Sequence, residues 1–371
     1  MPVKSHKRIV ILEIIILVLN GIFSLALLLS YLAPYVDPRD FWIIALIGIL
    51  YPFLLLANLV FLIYWSIRLR LYALISGVCI LLGFNVLTAY FGFHLSTADL
   101  DKPLPGNVRV MAYNVHNFMG LDTIHRTYTQ NKIFQLISDN QVDVVSMQEF
   151  SVNIKNNQAI YSGLKKAIKS DQYYFKPYSN SPWDSVGVAI FSRFPIINRG
   201  LVLSQDEHVD MQAIFADIKC HGKIFRVYSF HLQPIHLGDK EHRYISKIRH
   251  RASVSPSELE VICRKLKIAF IRRSAQIEII RNHLAKCPYP YVLSGDFNDT
   301  PISFVVNQIG KGLKNAFINK GGGLGTTYYG DFPHFQIDYI FTSSQFDIIN
   351  YQTVKNKISD HFAIMSDLKL K

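Results

Sequence analysis

The run YVLSGDFNDTP at residues 291–301 opens with β-type apolar residues and gives way within a few positions to Gly295, Asp296 and Asn298. A strand that stops on such residues delivers polar side chains to its own end, where a rigid scaffold can present them. The same pattern recurs along the chain. Runs at 108–114, 142–149 and 224–231 end on Asn114, on Gln148–Glu149 and on His231. Ile337 is followed by Asp338, and Asp360–His361 precede a run at 362–368. Further β-type runs lie at 186–192 and 212–219, and helical stretches at 132–140 and 267–286, where Ile268, Ile271, Ala275 and Ile279 recur on one helical face. Many short strands with few helices predict a layered α/β sandwich rather than strict βαβ alternation.

The polar residues at these ends form a coherent chemical set: Asn114, Glu149, His231, Asp296, Asn298, Asp338, Asp360 and His361. Any one of them could cap a helix or open a turn. Their recurrence in order at the ends of apolar runs points to one shared rim. Carboxylates and amides without a Ser or Cys nucleophile motif suit a hard divalent cation, and Mg²⁺ accepts one or two carboxylates while keeping several waters. Such an ion neutralises charge on a phosphoryl oxygen, and histidines can donate to the remaining oxygens or to a leaving group.

Here the chain resembles a known family. MAYNVHNF at 111–118, VVSMQEF at 144–150, GVAIFSRFPI at 187–196, SFHLQP at 229–234, LSGDFNDTP at 293–301, QIDYIF at 336–341 and SDHFA at 359–363 are similar to the ordered motifs of the endonuclease/exonuclease/phosphatase superfamily, the deoxyribonuclease I-like fold. GDFN followed by a terminal SDH is the most specific part, and the resemblance covers about residue 107 to the C-terminus. It implies a four-layer sandwich of two packed mixed β-sheets flanked by helices. It also implies metal-site roles for Asn114, Glu149 and Asp360, with Glu149 the principal ligand. Asp296 would orient and deprotonate the attacking water, and Asn298 would steady the phosphate. His361, oriented by Asp338, would bond a phosphoryl oxygen. His231 occupies the other catalytic position, where abasic-site endonucleases carry Tyr, so it favours the deoxyribonuclease and sphingomyelinase branches. The implied activity is Mg²⁺-dependent hydrolysis of phosphodiesters or phosphomonoesters, with Mn²⁺ as the substitute ion. A catalytically silent scaffold of the same fold is the competing reading.

The first hundred residues are of another kind. Half of the chain is apolar and the mean hydropathy is +0.19, with the excess concentrated at 9–33, 41–67 and 71–95. Each segment reaches the roughly 20 residues that a membrane-crossing helix needs. Residues 1–95 thus read as three transmembrane α-helices, 96–106 (STADLDKPLPG) as a linker and 107–371 as the catalytic domain. Lys4, Lys7, Arg8, Arg68 and Arg70 fall on one side, while Asp37 and Asp40 make the other loop acidic. The positive-inside rule places the basic side in the cytoplasm, so three spans deliver the catalytic domain to the extracytoplasmic side of the cytoplasmic membrane. Glu13, Asn20, Asn58 and Asn85 within the spans read as helix–helix hydrogen bonds or interfacial groups rather than chemistry.

The net charge of +12 suggests an anionic partner, such as a phosphate ester, a nucleic acid or a phospholipid or sphingolipid headgroup, without choosing among them. Beside GDFN, residues 237–286 carry Lys240, His242, Arg243, Lys247, Arg249, His250, Arg251, Arg264, Lys265, Lys267, Arg272 and Arg273. They form either a basic arm for a polyanion or a solvated helix face, and SVSPSELE at 253–260 reads as a loop entering a capped helix. Four cysteines without CxxC or Cys/His spacing read as free thiols. Tyr173, Tyr174, Phe175 and Trp183 lie in one irregular stretch. No protein partner is inferable.

Overall fold

The structure, a computed structural model, describes residues 3–94, 105–120, 126–154, 157–202, 212–235, 238, 240, 243, 244, 247, 255–330 and 333–371. The expected linker therefore lies largely outside the described residues, as do several residues of the basic arm, among them His242, Arg249, His250 and Arg251.

The N-terminal part is helical: α1 (Val3–Ser30), α2 (Pro38–Ile49), α3 (Tyr51–Ile67), α4 (Ala73–Leu82) and α5 (Phe84–Tyr90). Among the described residues one helix, Ile11–Ser30, is long and apolar enough to cross a membrane by itself. The other two expected spans are broken. α2 and α3 meet at 49°, and α4 and α5 at 65°, and each qualifies only as a pair. The first break falls just before Pro52, which lacks the N–H an α-helix interior needs, and the second at Gly83. The third segment also ends at Tyr90, not at 95, because β1 (Phe91–Phe93) follows. Asn20 and Asn58 make hydrogen bonds between helices. Ser24 Oγ and Ser76 Oγ donate to Asn58 Oδ1 (2.8 and 3.0 Å), and Ser76 Oγ also lies 2.7 Å from Asn20 Oδ1. One buried polar knot thereby ties α1, α3 and α4 together.

The remainder runs β2 (Val108–Asn114), α6 (Arg126–Asp139), β3 (Val144–Asn153), α7 (Gln158–Ile168), β4 (Gln172–Asn180), β5 (Asp184–Ser192), β6 (Ile196–Leu201), β7 (Gln212–Cys220), β8 (Lys223–His231), α8 (Pro256–Ala285), β9 (Tyr291–Asp296), α9 (Phe304–Gly310), β10 (Lys314–Asn315), α10 (Ala316–Lys320), β11 (Gly322–Leu324), β12 (Asp338–Thr342), β13 (Phe346–Ile348), β14 (Gln352–Val354) and β15 (Ala363–Leu370). One sheet has the order β13-β15-β2-β3-β5-β4, with β14 also on β15, and the other β10-β12-β9-β8-β7-β6. Each is mixed, with one parallel pair: β2 with β3, and β8 with β9. A parallel pair needs a crossover, supplied by α6 and by α8.

Alternation along the strands sorts the core into layers. Val110, Ala112, Val144 and Ile190 pack between the sheets against Ile214, Ala216, Val227 and Val292. Met111, Tyr113, Val145 and Met147 face outward onto Ile133 and Ile137 of α6 and Leu164 of α7. Tyr228, Phe230 and Leu293 face the other way onto Ile277 and Ile280 of α8 and Ile309 of α9. Helix, sheet, sheet and helix give the four layers expected. At roughly 1.5–3 kcal/mol per fully buried large apolar side chain, these layers dominate the stability of the fold.

Three local expectations are corrected. Tyr173–Phe175 are not irregular but lie in β4, an edge strand whose register shifts at Pro177, the kind of place a sheet tolerates proline. The buried stripe of α8 is Phe270, Arg273, Ile277, Ile280 and Leu284, while Ile268 is exposed. Arg273 is therefore no surface cation: it is fully buried and paired with Asp299 at 3.0 Å. The capped start of α8 is as read, with Ser255 and Glu258 closing a capping box. All four cysteines are free.

The two parts touch directly. Ser274 Oγ of α8 donates to Asp37 Oδ1 (2.5 Å), Arg39 pairs with Glu278 (3.1 Å), and Lys267 lies over the Trp42 ring. Ile302 packs among Leu27, Tyr51 and Leu54, and β1 pairs antiparallel with β11. The helical part is seated on the sandwich, with contacts that begin before residue 95.

Candidate active site

Strand register assembles the pocket. In the parallel β8–β9 pair His231 stands opposite Asp296, and in the antiparallel β9–β12 pair Asp338 stands opposite Asp296. Asp296 is thus flanked by a histidine on one side and a carboxylate on the other, all three buried. Across the sandwich the parallel β2–β3 pair places Asn114 opposite Gln148. Glu149 follows at a bulge between Met147 and Phe150, with φ +51°. The expected strand end at Glu149 is in fact this bulge, and β3 runs on to Asn153. A bulge turns a side chain out of its alternating place, here into the pocket.

Asn114 bridges the two sheets. Its Nδ2 donates to Asp296 Oδ2 (3.0 Å) and lies 3.3 Å from Glu149 Oε1. His231 Nε2 is 3.7 Å from Glu149 and 3.9 Å from Asp296, and His361 Nε2 is 3.8 Å from Asp296. His361 Nδ1 donates to Asp338 Oδ2 at 2.9 Å. The N–H of Asn298 donates to Asp296 Oδ1 (2.7 Å), and its amide donates to the carbonyl of Leu232 (2.9 Å). The structure therefore brings Asn114, Glu149, His231, Asp296, Asn298, Asp338 and His361 together. Asp360 sits at the mouth, 3.1 Å from Ser359 Oγ, whose hydroxyl also donates to the carbonyl of Asn114 at 2.9 Å.

Charge is tuned by burial and neighbours. Burial, with the charge of Asp338 adding to it, pushes the Asp296 carboxyl up to about 7. Burial works against a charged His361, yet Asp338, with Asp296 and Asp360 behind it, overrides that and holds the imidazole up at about 10. A carboxyl poised near neutrality and an imidazolium beside it are groups pushed apart in acidity by one environment, the usual mark of an acid–base site.

Several contributors were not singled out from the sequence. Gln212 Oε1 accepts from His231 Nδ1 at 2.7 Å and orients that ring. The signal was available, since Gln212 starts a strand whose register puts it opposite His231. His116, Asn117 and Phe118 are three consecutive left-handed residues, held by Phe118, which is buried against Phe134 and Phe150. They set His116 3.7 Å from Asp360 and Asn117 Nδ2 3.5 Å from Glu149 Oε2. Strained backbone of this kind concentrates at functional sites.

Two donor sets could hold a cation. Asp296, Asp338 and His361 offer atoms within 4.8 Å of one another, but His361 already spends Nδ1 on Asp338 and both belong to the acid–base group. Around Glu149 and Asn114, Asn117 Oδ1, Gln148 Oε1 and His116 Nδ1 are buried without a hydrogen-bond partner among the described residues. Mostly oxygen donors left unsatisfied beside a carboxylate fit a hard cation.

The two-sheet sandwich closes this set of side chains over the aligned ends of both parallel pairs. The model of the Endonuclease/Exonuclease/phosphatase family matches residues 111–361, and the chain belongs to that family. A domain of unknown function matches residues 13–90. No curated protein matches the chain. Among solved structures it is similar to a family protein from Leptotrichia buccalis (18% identity, TM-score 0.50, 71% of this chain and 100% of that one). It is similar also to one from Beutenbergia cavernae (18%, 0.51, 71% and 72%), and to the human Nocturnin catalytic domain with bound sulfate (19%, 0.50, 74% and 96%). At these identities the likeness is one of fold.

Proposed function

We propose that the protein is a membrane-anchored, Mg²⁺-dependent phosphoesterase in which Asp296 activates water for in-line attack at phosphorus. The observation that carries this reading is the placement of Asp296 between His231 and Asp338 in strand register, with Asn114 linking it to Glu149. Glu149, Asn114 and Asp360 would hold the ion, which when bound lowers the charge on a phosphoryl oxygen. Asp296 takes a proton from the attacking water. The Asn298 amide and His361 Nε2 face the phosphate, and Asp338 keeps His361 charged. His231, oriented by Gln212, stands on the opposite side as donor to the leaving group. The human Nocturnin catalytic domain, which shares the fold, was solved with a bound sulfate, a tetrahedral anion.

Anchoring is read as three spans, α1 and the two bent pairs, with the catalytic part outside the cytoplasm. Residues 1–90 form the membrane region, β1 and the residues up to 106 the connection, and 107–371 the catalytic domain. The test uses the full chain in detergent with bis-p-nitrophenyl phosphate. Hydrolysis should require added Mg²⁺ or Mn²⁺. Asp296→Asn should lower kcat by about 10²–10³, the effect of deleting one preorganised polar group. Undiminished turnover in Asp296→Asn would overturn the mechanism, and metal-stimulated binding without turnover in the parent chain would favour a scaffold.

A further inference from the structure

After Tyr90 the chain turns back on itself. The Phe93 ring stacks on Phe84, nine positions earlier, with centroids 6.0 Å apart, and Phe91 meets Phe93 edge-on at 5.2 Å. β1 therefore lies alongside α5, the last helix of the apolar region. β11 is carried to the same level because it is hydrogen-bonded to β1, Phe91 opposite Leu324 and Phe93 opposite Gly322. The pairing needs glycine at Gly92, where a Cβ would meet the carbonyl oxygen of Gly321 at 2.1 Å. The outcome is a two-stranded ribbon, one strand from each part of the protein, with a single apolar face. Phe84, Phe91, Phe93 and Leu324 are 53, 38, 57 and 66% exposed, and Leu81 and Leu82 of α4 continue that surface at 73 and 70%.

We propose that this ribbon seats in the headgroup zone of the bilayer, and that the substrate is an amphiphile whose phosphoester lies at that surface, a phospholipid or sphingolipid headgroup ester. The occupant follows from continuity: the face extends an apolar helical surface, and exposed Phe and Leu side chains on such a face are buried at the headgroup–acyl boundary. Neither strand of the ribbon carries a charged residue, so the face offers no hold for a nucleic acid backbone, whose binding depends on cations. The ribbon also leads straight to the pocket. The N–H of Gly325 donates to the carbonyl of Tyr90 (3.1 Å). Thr327 Oγ1 accepts from the N–H groups of Ile337 and Asp338. Tyr328 bridges to His361, with its ring 5.1 Å from the imidazole. Four residues span at most about 14 Å of chain, so Leu324 in the headgroup zone puts the pocket within reach of a headgroup phosphate.

The inference rests on the phosphoesterase reading and is tested so that the two can fail separately. The full chain is reconstituted in vesicles of phosphatidylcholine and phosphatidylglycerol, with and without sphingomyelin. Hydrolysis of the vesicle lipid, of a single-stranded DNA oligomer and of bis-p-nitrophenyl phosphate is then compared. Lipid turnover should exceed DNA turnover. Leu324→Ser should reduce lipid turnover about tenfold, the scale of losing one apolar side chain from the membrane, and leave the soluble diester unaffected. Leu324→Trp should fluoresce and be quenched by brominated acyl chains. Cleavage of the soluble diester or of DNA without lipid cleavage overturns the inference and leaves the phosphoesterase standing. An unquenched Trp overturns the bilayer contact, and no cleavage of any substrate overturns the phosphoesterase reading itself.

Discussion

In the proposed mechanism Asp338 acts without touching the substrate. It sits buried in register with Asp296 and accepts from His361, so its charge adds to the burial that pushes the Asp296 carboxyl up to about 7, and it overrides burial to hold the His361 imidazole up at about 10. In Asp338→Asn the negative charge that favours the imidazolium is gone and His361 loses its proton at lower pH. The alkaline limb of a pH–kcat profile should move down by at least one unit (about 1.4 kcal/mol), while the acid limb, which the proposed mechanism assigns to Asp296, also moves down because a repelling carboxylate is removed. A profile that shifts on neither limb would contradict this arrangement. Gly295 poses a different constraint: at φ +143°, with a Cβ position 2.2 Å from the carbonyl oxygen of Phe230, it lets β9 approach β8 closely enough to align His231 with Asp296. Gly295→Ala should cost about 1–3 kcal/mol for the backbone alone, measured as a fall in the thermal midpoint.

At the scale of the element, the sequence made the strands that carry the site legible because their apolar runs are long and end abruptly on polar residues. β2 was bounded at 108–114, as found, and β8 and β9 were placed within two residues of their ends. What escaped lacked that contrast. β4 carries a proline and is half exposed, β6 includes Asn198, Arg199 and Gly200, and β11 consists of two glycines and a leucine. The face of α8 was misjudged because an arginine belongs to it. Arg273 donates to Asp299 and to the carbonyl of Gln233 (2.9 Å), while Gln276 Oε1 accepts from the N–H of Gln233. The helix thereby grips both loops that leave His231 and Asp296. Arg273→Met should destabilise by about 3–5 kcal/mol, because it strands a buried carboxylate. Burial raises the Asp299 carboxyl even with Arg273 present; without it the rise is larger. A raised folded-state value stabilises at low pH and is lost as pH rises, so the gap between variant and parent in a thermal melt should be smallest near pH 4 and widen toward neutrality.

Across the whole molecule, α8 is held from both sides: the helical part through Asp37 and Arg39, the loops after β8 and β9 through Gln276 and Arg273. The exposed Arg39–Glu278 pair contributes little on its own, whereas Ile302 is buried among Leu27, Tyr51 and Leu54 and lies six residues past Asp296. Ile302→Asp should separate the two parts, seen as faster proteolysis between residues 95 and 107, and should lower kcat on a soluble diester as well; unchanged proteolysis would show that the seat lies elsewhere. The last strand adds a practical consequence. β15 starts two residues beyond His361 and pairs Leu368 with Val108, at the opposite end of β2 from Asn114. Cargo attached after Lys371, whether a topology reporter or an affinity handle, emerges at the base of the sandwich and leaves the catalytic mouth open to its substrate.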